Sequence, residues 1–506
     1  MSKPGAVVRR FGFALVTAGV IEVSACGNST NNGADPAKSG MSGHVSGATT
    51  SGVGGSDSTV AGEPGDPSEA GGTSGNGGIA GAPGCIGLAC DVPSCPPGTT
   101  TSISGKVFDP SLTLPIYKAT VFVPNGPLPE LAAGAICDRC GSTDMASVTR
   151  TTTDLSGNFV LTEAPAGKNV PVVVQIGKWR RQLQIPSLEP CQEISLEPER
   201  TRLPRNQAEG DLPRIAISAG AQDQMECLPR RFGIDDAEFT TVAGNGRVHL
   251  FTGHYAATGP TAVSPITQFA PNLNGGATLP SSNTLWGNVE SLKKYDLVIL
   301  SCEGDAFENE KTPEMRQVMY DYLSQGGRVL ASHYHHVWFS KGPMEVMQTG
   351  TWKDRRNPTS LGAEISATVN QGFPDGKVLA DWLVEVGASV SAGSLTIYFA
   401  KDSLQAGSPK LSREWLTLEN PEYPSAPKSV QYLSFTAPVG APLAASCGKA
   451  VFTDLHVSAT GSRSPNDPPP GGFPLDCENR VLSAQEKTVA FMLFQLGSCM
   501  DASDIP

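Results

Sequence analysis

From Tyr295 to His336 the chain reads YDLVILSCEGDAFENEKTPEMRQVMYDYLSQGGRVLASHYHH: an apolar run, a polar break, a helical period and a second apolar run. Thr312 is placed as an N-cap ahead of Met315, Val318, Met319 and Leu323, and the Gly pair at 326 and 327 stops the helix. Apolar runs without alternation are buried on both faces, which is the condition of a strand in a parallel sheet covered by helices. The same reading gives strands at RIAIS (214–218), RVHLF (247–251) and GKAVFTDLHVS (448–458), and helices at PDGKVLADWLVEVG (374–387) and SAQEKTVAFMLFQL (483–496), the last amphipathic. Residues 210–500 are therefore expected to form a mostly parallel α/β domain. A β-rich stretch at about 388–445, with SLTIYFA and SVQYLSF, is expected as an insertion or an added antiparallel edge.

Upstream the period changes. Between about 100 and 205, Val121 and Val123, Phe159 and Leu161, and Val172 and Val174 alternate with polar neighbours at period two, and Gly, Pro and Asp turns separate the segments. Short strands so joined predict a β-sandwich, ending at the polar junction RLPRNQAEGDLP (202–213). Gly105, Val107, Asp109, Asp154, Gly157, Phe159 and Gly167 resemble the pattern of carboxypeptidase regulatory-like, collagen-binding B-type modules. The resemblance implies a stalk, a spacer or a carbohydrate or protein contact without catalytic residues of its own. GKWRRQ (177–182) reads as a charged edge strand or a basic binding edge.

Lys3, Arg9 and Arg10 precede an apolar stretch from Phe11 to Ile21, too short for the roughly 20 residues a membrane span needs, so residues 1–25 read as a signal peptide. VSAC at 23–26 resembles the bacterial lipobox, which implies cleavage before Cys26 and a diacylglycerol on its sulfur, hence an exported protein anchored by lipid at the outer membrane or cell surface. Residues 27–84 hold 17 glycines in 58 positions and no Phe, Tyr or Trp. Such a segment, with Cys26 a tether over 26–84, cannot bury enough apolar area to offset its ordering entropy. The net charge of −12 with 37 Lys plus Arg argues against nucleic acid as a partner, since phosphate binding needs a concentrated basic face.

The chain has 12 cysteines, and in an exported protein these imply disulfides. With Cys26 lipidated, an odd number remains, so at least one is free or pairs outside the chain. Cys85, Cys90 and Cys95 suggest a small stapled knot over 85–99. Cys137 and Cys140 suggest a structural bridge, and Cys447 with Cys477 and Cys191 with Cys227 are further candidate pairs.

In open parallel sheets ligands bind beyond the carboxyl ends of strands. Here those ends carry Ser301 to Asp305, Ser332 to His336, and Asp454 with His456. Alternation in an extended strand puts His333 and His335 on one face and His336 on the other, and likewise pairs Asp454 with His456. His333, His335, Asp454 and His456 make a candidate set for zinc or another divalent ion, although no cofactor is required. Cys302 is expected to be buried or bridged.

The order of elements resembles the class I glutaminase-like, flavodoxin-like superfamily and, within it, trehalose-utilisation-like proteins. In its amidotransferases a cysteine stands on the turn where QGGRVLASHYHH places His333, and GKAVFTDLH resembles the last strand of the trehalose-utilisation-like branch, with His456 at its end. The resemblance implies a domain without the glutaminase nucleophile, acting as a binding or structural module for a carbohydrate or protein ligand. The alternative is a carbohydrate-directed hydrolase or isomerase, metal-dependent or not, using His333, His456 and Asp305.

Overall fold

The computed structural model describes residues 85–140, 146–254, 265–353, 361, 364–419, 427–457, 471–475, 477 and 480–506. The segments expected as signal peptide and tether, Cys26 included, lie outside the described residues. Residues 86–506 belong to one compact unit, and none of its described helices is long and apolar enough to cross a membrane.

The first strands are β1 (Ser102–Lys106), β2 (Thr120–Pro124), β3 (Ser147–Thr152), β4 (Asn158–Leu161), β5 (Gly167–Ile176), β6 (Trp179–Leu188) and β7 (Glu193–Leu196). They form a three-stranded sheet in the order β4-β1-β7 and a four-stranded sheet in the order β3-β2-β5-β6. The Asp154–Gly157 turn forms as the sequence suggests: Asp154 Oδ1 accepts from the Ser156 and Asn158 amides at 2.9 and 2.8 Å, and Gly157 has φ +77°. Phe159 faces the core opposite Gly105, where a Cβ would lie 2.9 Å from its ring. Alternation survives in β4 but not in the middle of β2 and β5, where Phe122 and Val173 are buried as well. GKWRRQ leads into β6, the edge strand of the four-stranded sheet. Trp179 is buried, Lys178 Nζ meets Asp296 Oδ1 at 2.5 Å, and Arg180 pairs with Asp211 at 2.8 Å.

The remaining strands are β8 (Ile215–Ala219), β9 (Phe239–Thr240), β10 (Val248–Thr252), β11 (Leu297–Leu300), β12 (Arg328–Ser332), β13 (Gly350–Trp352), β14 (Glu364–Val369), β15 (Ser394–Tyr398), β16 (Leu404–Gly407), β17 (Arg413–Glu419), β18 (Lys428–Ala437) and β19 (Gly448–Thr453). Ten of them make one sheet, β15-β14-β17-β18-β19-β12-β11-β8-β10-β9. From β19 to β9 all neighbours are parallel; from β15 to β19 all are antiparallel. The antiparallel wing thus begins at β14, earlier than the β-rich composition indicated, and holds the Pro374–Glu385 helix between two of its strands. Setting aside the two-residue β9, the parallel strands in chain order β8, β10, β11, β12, β19 lie in the spatial order 2-1-3-4-5. That is a flavodoxin-like order, with its topological switch point between β8 and β11.

Both faces of this sheet are covered. Ile215, Ile217, Leu297 and Ile299 share a core with the helix Ala484–Gly497, while Ala216, Val298 and Leu300 pack with Met319, Tyr322 and Leu323 of the helix Pro313–Ser324. The C-terminal helix opens with a Ser483/Glu486 capping box. It is not amphipathic in place but buried on nearly every side, its polar Gln485, Glu486 and Thr488 included. Phe494 lies 5.3 Å from both Trp179 and Phe232, and Phe491 lies 5.0 Å from Trp382.

The disulfides correct each proposed pairing. Cys137 and Cys140 bridge not each other but Cys447 and Cys499, across 310 and 359 residues. Cys227 joins Cys477, and Cys191 joins Cys95, drawing Cys95 out of the expected local knot. Proximity in sequence misled because the segment before Cys137 runs along the α/β body: Ala135 N donates to Lys293 O at 2.9 Å, and a Cβ on Gly326 would meet Ile136 O at 2.1 Å. Cys302 stays buried outside these bridges.

Candidate functional site

At the carboxyl edge of the parallel strands the loops after β8, β10, β11, β12 and β19 converge. A Cβ on Gly220, just past β8, would lie 2.2 Å from Cys302 O, and Gln222 N donates to that carbonyl at 3.0 Å, so the loops at the switch point touch through backbone.

Strand β12 ends at Ser332, and His333 leaves it with φ +43°, a left-handed conformation that a residue with a Cβ rarely adopts. Residues His333–His336 then form a 3₁₀ turn, so strand alternation does not apply to the three histidines. Each finds different partners. His335 Nδ1 accepts from Trp338 Nε1 and its Nε2 lies 2.9 Å from Ser301 O, which makes Nε2 the protonated nitrogen. Burial pushes its pKa down to about 3. His336 Nδ1 lies 2.9 Å from Ser340 Oγ. His333 Nδ1 lies 3.1 Å from Cys302 Sγ, and its Nε2 is buried with no hydrogen-bond partner among the described residues. Burial, reinforced by His456 and Lys401, holds His333 well below the ordinary histidine pKa, so this ring is neutral.

The His333 and His456 rings meet edge to face at 5.0 Å between centroids. His456 is braced by Asp223: its Nδ1 lies 3.2 Å from Asp223 Oδ1, which also accepts from the Val457 amide at 3.0 Å, while Ser332 Oγ donates to Oδ2 at 2.5 Å. A carboxylate so placed favours a proton on His456 Nδ1. Cys302, His333 and Asp223 are fully buried and His456 is 9 % exposed.

Beside this chain lies an ionic cluster. Glu303 Oε2 meets Lys311 Nζ at 2.6 Å, both fully buried, and Glu303 Oε1 accepts from the His254 amide at 2.8 Å. Burial opposes ionisation of Glu303, but Lys311, His335 and His254 outweigh it and hold the carboxyl below its usual range.

The structure brings His333 and His456 together and leaves the other expected members apart. The carboxylate on His456 is Asp223; Asp305 instead accepts from the Ala306 amide at 2.6 Å. The proposed metal set does not assemble. His335 is committed to Ser301 and Trp338, and Asp454 accepts from Ser403 N and Oγ at 3.1 and 3.0 Å, its pKa lifted by burial to about 7. Among the described residues no group of three or more His, Cys, Asp or Glu side chains is arranged to hold a metal ion. Cys302 has the His333 imidazole within reach at 3.1 Å. Asp223 was missed because it sits in AGAQDQMEC without periodic or motif signal; its place directly after a parallel strand was the one available cue.

No protein-family model and no curated protein matches this chain. The chain is weakly similar to a number of solved structures. A ThuA-like protein from Bacteroides uniformis aligns at 15 % identity and TM-score 0.26, over 46 % of this chain and 81 % of that one. Two cohesin–X-dockerin complexes from Acetivibrio cellulolyticus align at 16 and 15 % identity, with TM-scores of 0.15 and 0.16, over 29 and 27 % of this chain and 79 and 85 % of those.

Proposed function

We propose that this is an exported lipoprotein, anchored through Cys26 at the outer membrane or cell surface, whose α/β body is a binding module for a small neutral saccharide. The glutaminase-like, trehalose-utilisation-like reading of that body and the regulatory-module reading of the N-terminal strands belong to the same proposal. The observation that carries it is the buried His333 Nε2, a polar atom at the carboxyl end of β12 that no described residue partners. A buried polar nitrogen without a partner costs about 1–3 kcal/mol, a penalty a bound oxygen removes. Cys302 is sealed at 0 % exposure, which disfavours its attack on an external substrate. Isothermal titration of the purified protein with trehalose, maltose and cellobiose tests this: saturable binding to at least one supports it, and no heat with any of them at millimolar concentration rejects the saccharide.

A second reading is a hydrolase or isomerase acting on carbohydrate. The Asp223–His456 pair favours it, since a carboxylate that orients imidazole Nδ1–H leaves Nε2 poised as a general base. Turnover of a carbohydrate that His456→Ala abolishes would establish this reading over the first.

A further inference from the structure

At the start of the helix Ala484–Gly497 an open cavity of about 550 Å³ is lined by Thr113, Arg231, Arg480, Val481, Leu482 and Lys487. Small-molecule sites span roughly 300–1,000 Å³. Three of these six residues are cationic and none is acidic, in a chain whose net charge is −12. The carboxylates behind the wall are buried and engaged. Glu486 takes Arg231 Nη1, both Nη atoms of Arg480 at 2.6 and 2.9 Å, and the Ser483 amide at 2.8 Å. Asp109 accepts from the Thr113 and Leu114 amides at 2.7 and 3.0 Å and from Ser111 Oγ at 2.8 Å. Lys487 differs: its Nζ donates to the Val386 carbonyl at 2.6 Å, and among the described residues it makes no ion pair. Burial holds that ammonium below the ordinary lysine pKa. Val481, 85 % exposed, and the buried Leu482 set an apolar wall beside the cations. The Cys227–Cys477 bridge ties the helix Cys227–Arg231 to the chain three residues before Arg480, which fixes opposite walls against each other.

We propose that this cavity binds a small phosphate monoester, its dianion held by Lys487 and its carbon skeleton resting on Val481 and Leu482. An ammonium carries three N–H donors, and only one of those on Lys487 is taken by Val386, so the others can bond phosphate oxygens. Arg231 and Arg480 add positive potential along the adjoining wall. At the same distance a dianion gains about twice the Coulomb attraction of a carboxylate, and a neutral ligand gains none. The apolar wall favours an ester over inorganic phosphate. None of the lining residues belongs to the Cys302–His333–His456–Asp223 chain, so the inference stands independently of the saccharide reading.

The test is isothermal titration of the purified protein at low ionic strength with phenyl phosphate, benzoate and benzyl alcohol, circular dichroism confirming that each variant is folded. Phenyl phosphate is expected to saturate one site, benzoate to bind more weakly and benzyl alcohol not to bind. Lys487→Met should weaken phenyl phosphate by about tenfold or more, the loss of one hydrogen bond to a charged group. Lys487→Arg keeps the charge and should stay within about threefold of wild type. Val481→Ser should weaken phenyl phosphate by about threefold and leave inorganic phosphate unchanged, which separates the apolar wall from the charge. No saturable heat with phenyl phosphate, or equal affinity in wild type and Lys487→Met, would overturn the inference. Benzoate binding as tightly as phenyl phosphate would overturn the assignment of a dianion.

Discussion

Two buried polar clusters share the carboxyl edge of the sheet, and they differ in completeness. Glu303 is surrounded: Lys311 on one oxygen, His254 on the other, His335 close by. The Cys302–His333–His456–Asp223 chain is saturated at its ends and open in its middle, at His333 Nε2. A closed ionic cluster fixes loops. An open neutral one retains an unmet bond that a ligand can supply. Similar residue types therefore close around Glu303 in one place and leave His333 Nε2 unpartnered among the described residues in the other, a difference of bonding state that composition does not show.

The largest effect should come from breaking the closed cluster. Lys311→Met strands the Glu303 charge in the core and is expected to cost about 3–5 kcal/mol in urea unfolding, whereas Lys311→Met with Glu303→Leu should cost less than the single change. If the single change is silent, the cluster does not hold the loops. Next comes the linkage between the N-terminal strands and the body. Cys140→Ser with Cys499→Ser opens a bridge spanning 359 residues and should lower stability by roughly 2–5 kcal/mol, again by urea unfolding. Equal stability of that variant would mean that packing around Trp179 and Phe494 suffices.

A pH dependence separates the clusters further. Asp454 has a folded pKa of about 7 against 3.8 for the free side chain, so the folded state holds its proton more tightly. That contribution is fully present below about pH 4 and is lost as pH rises through 7. Asp454→Asn should therefore flatten the part of the stability profile that falls between pH 4 and 7. The histidines act in the opposite sense: His335, depressed to about 3, contributes stability above about 6.5 that fades as pH drops toward 3. Stability curves from urea unfolding at stepped pH test both signs, and an unchanged slope in Asp454→Asn contradicts the first.

Much of the α/β body was legible because its strands are continuous apolar runs and its helices are periodic; Thr312 falls at the observed start of its helix. The antiparallel wing was legible as β-rich, but its start at Glu364 was not, since EISATV carries no turn signal to mark it. Among site residues, His333 and His456 were found through their strand ends. Their neighbours were not. A positive φ at one residue converted the expected strand of histidines into a turn, and no pattern in the sequence announces that change. Asp223 and the disulfide partners depend on tertiary approach between segments hundreds of residues apart, which local periodicity does not encode.

The smallest structural perturbation gives the sharpest functional test. Asn tolerates the left-handed backbone at position 333, so His333→Asn should stay folded, losing about 1 kcal/mol, while removing the open nitrogen. Isothermal titration of maltose or trehalose into wild type and His333→Asn, both verified as folded by circular dichroism, measures the central claim directly. The account predicts binding by wild type and at least a tenfold loss in the variant; equal affinity in the two proteins would contradict it.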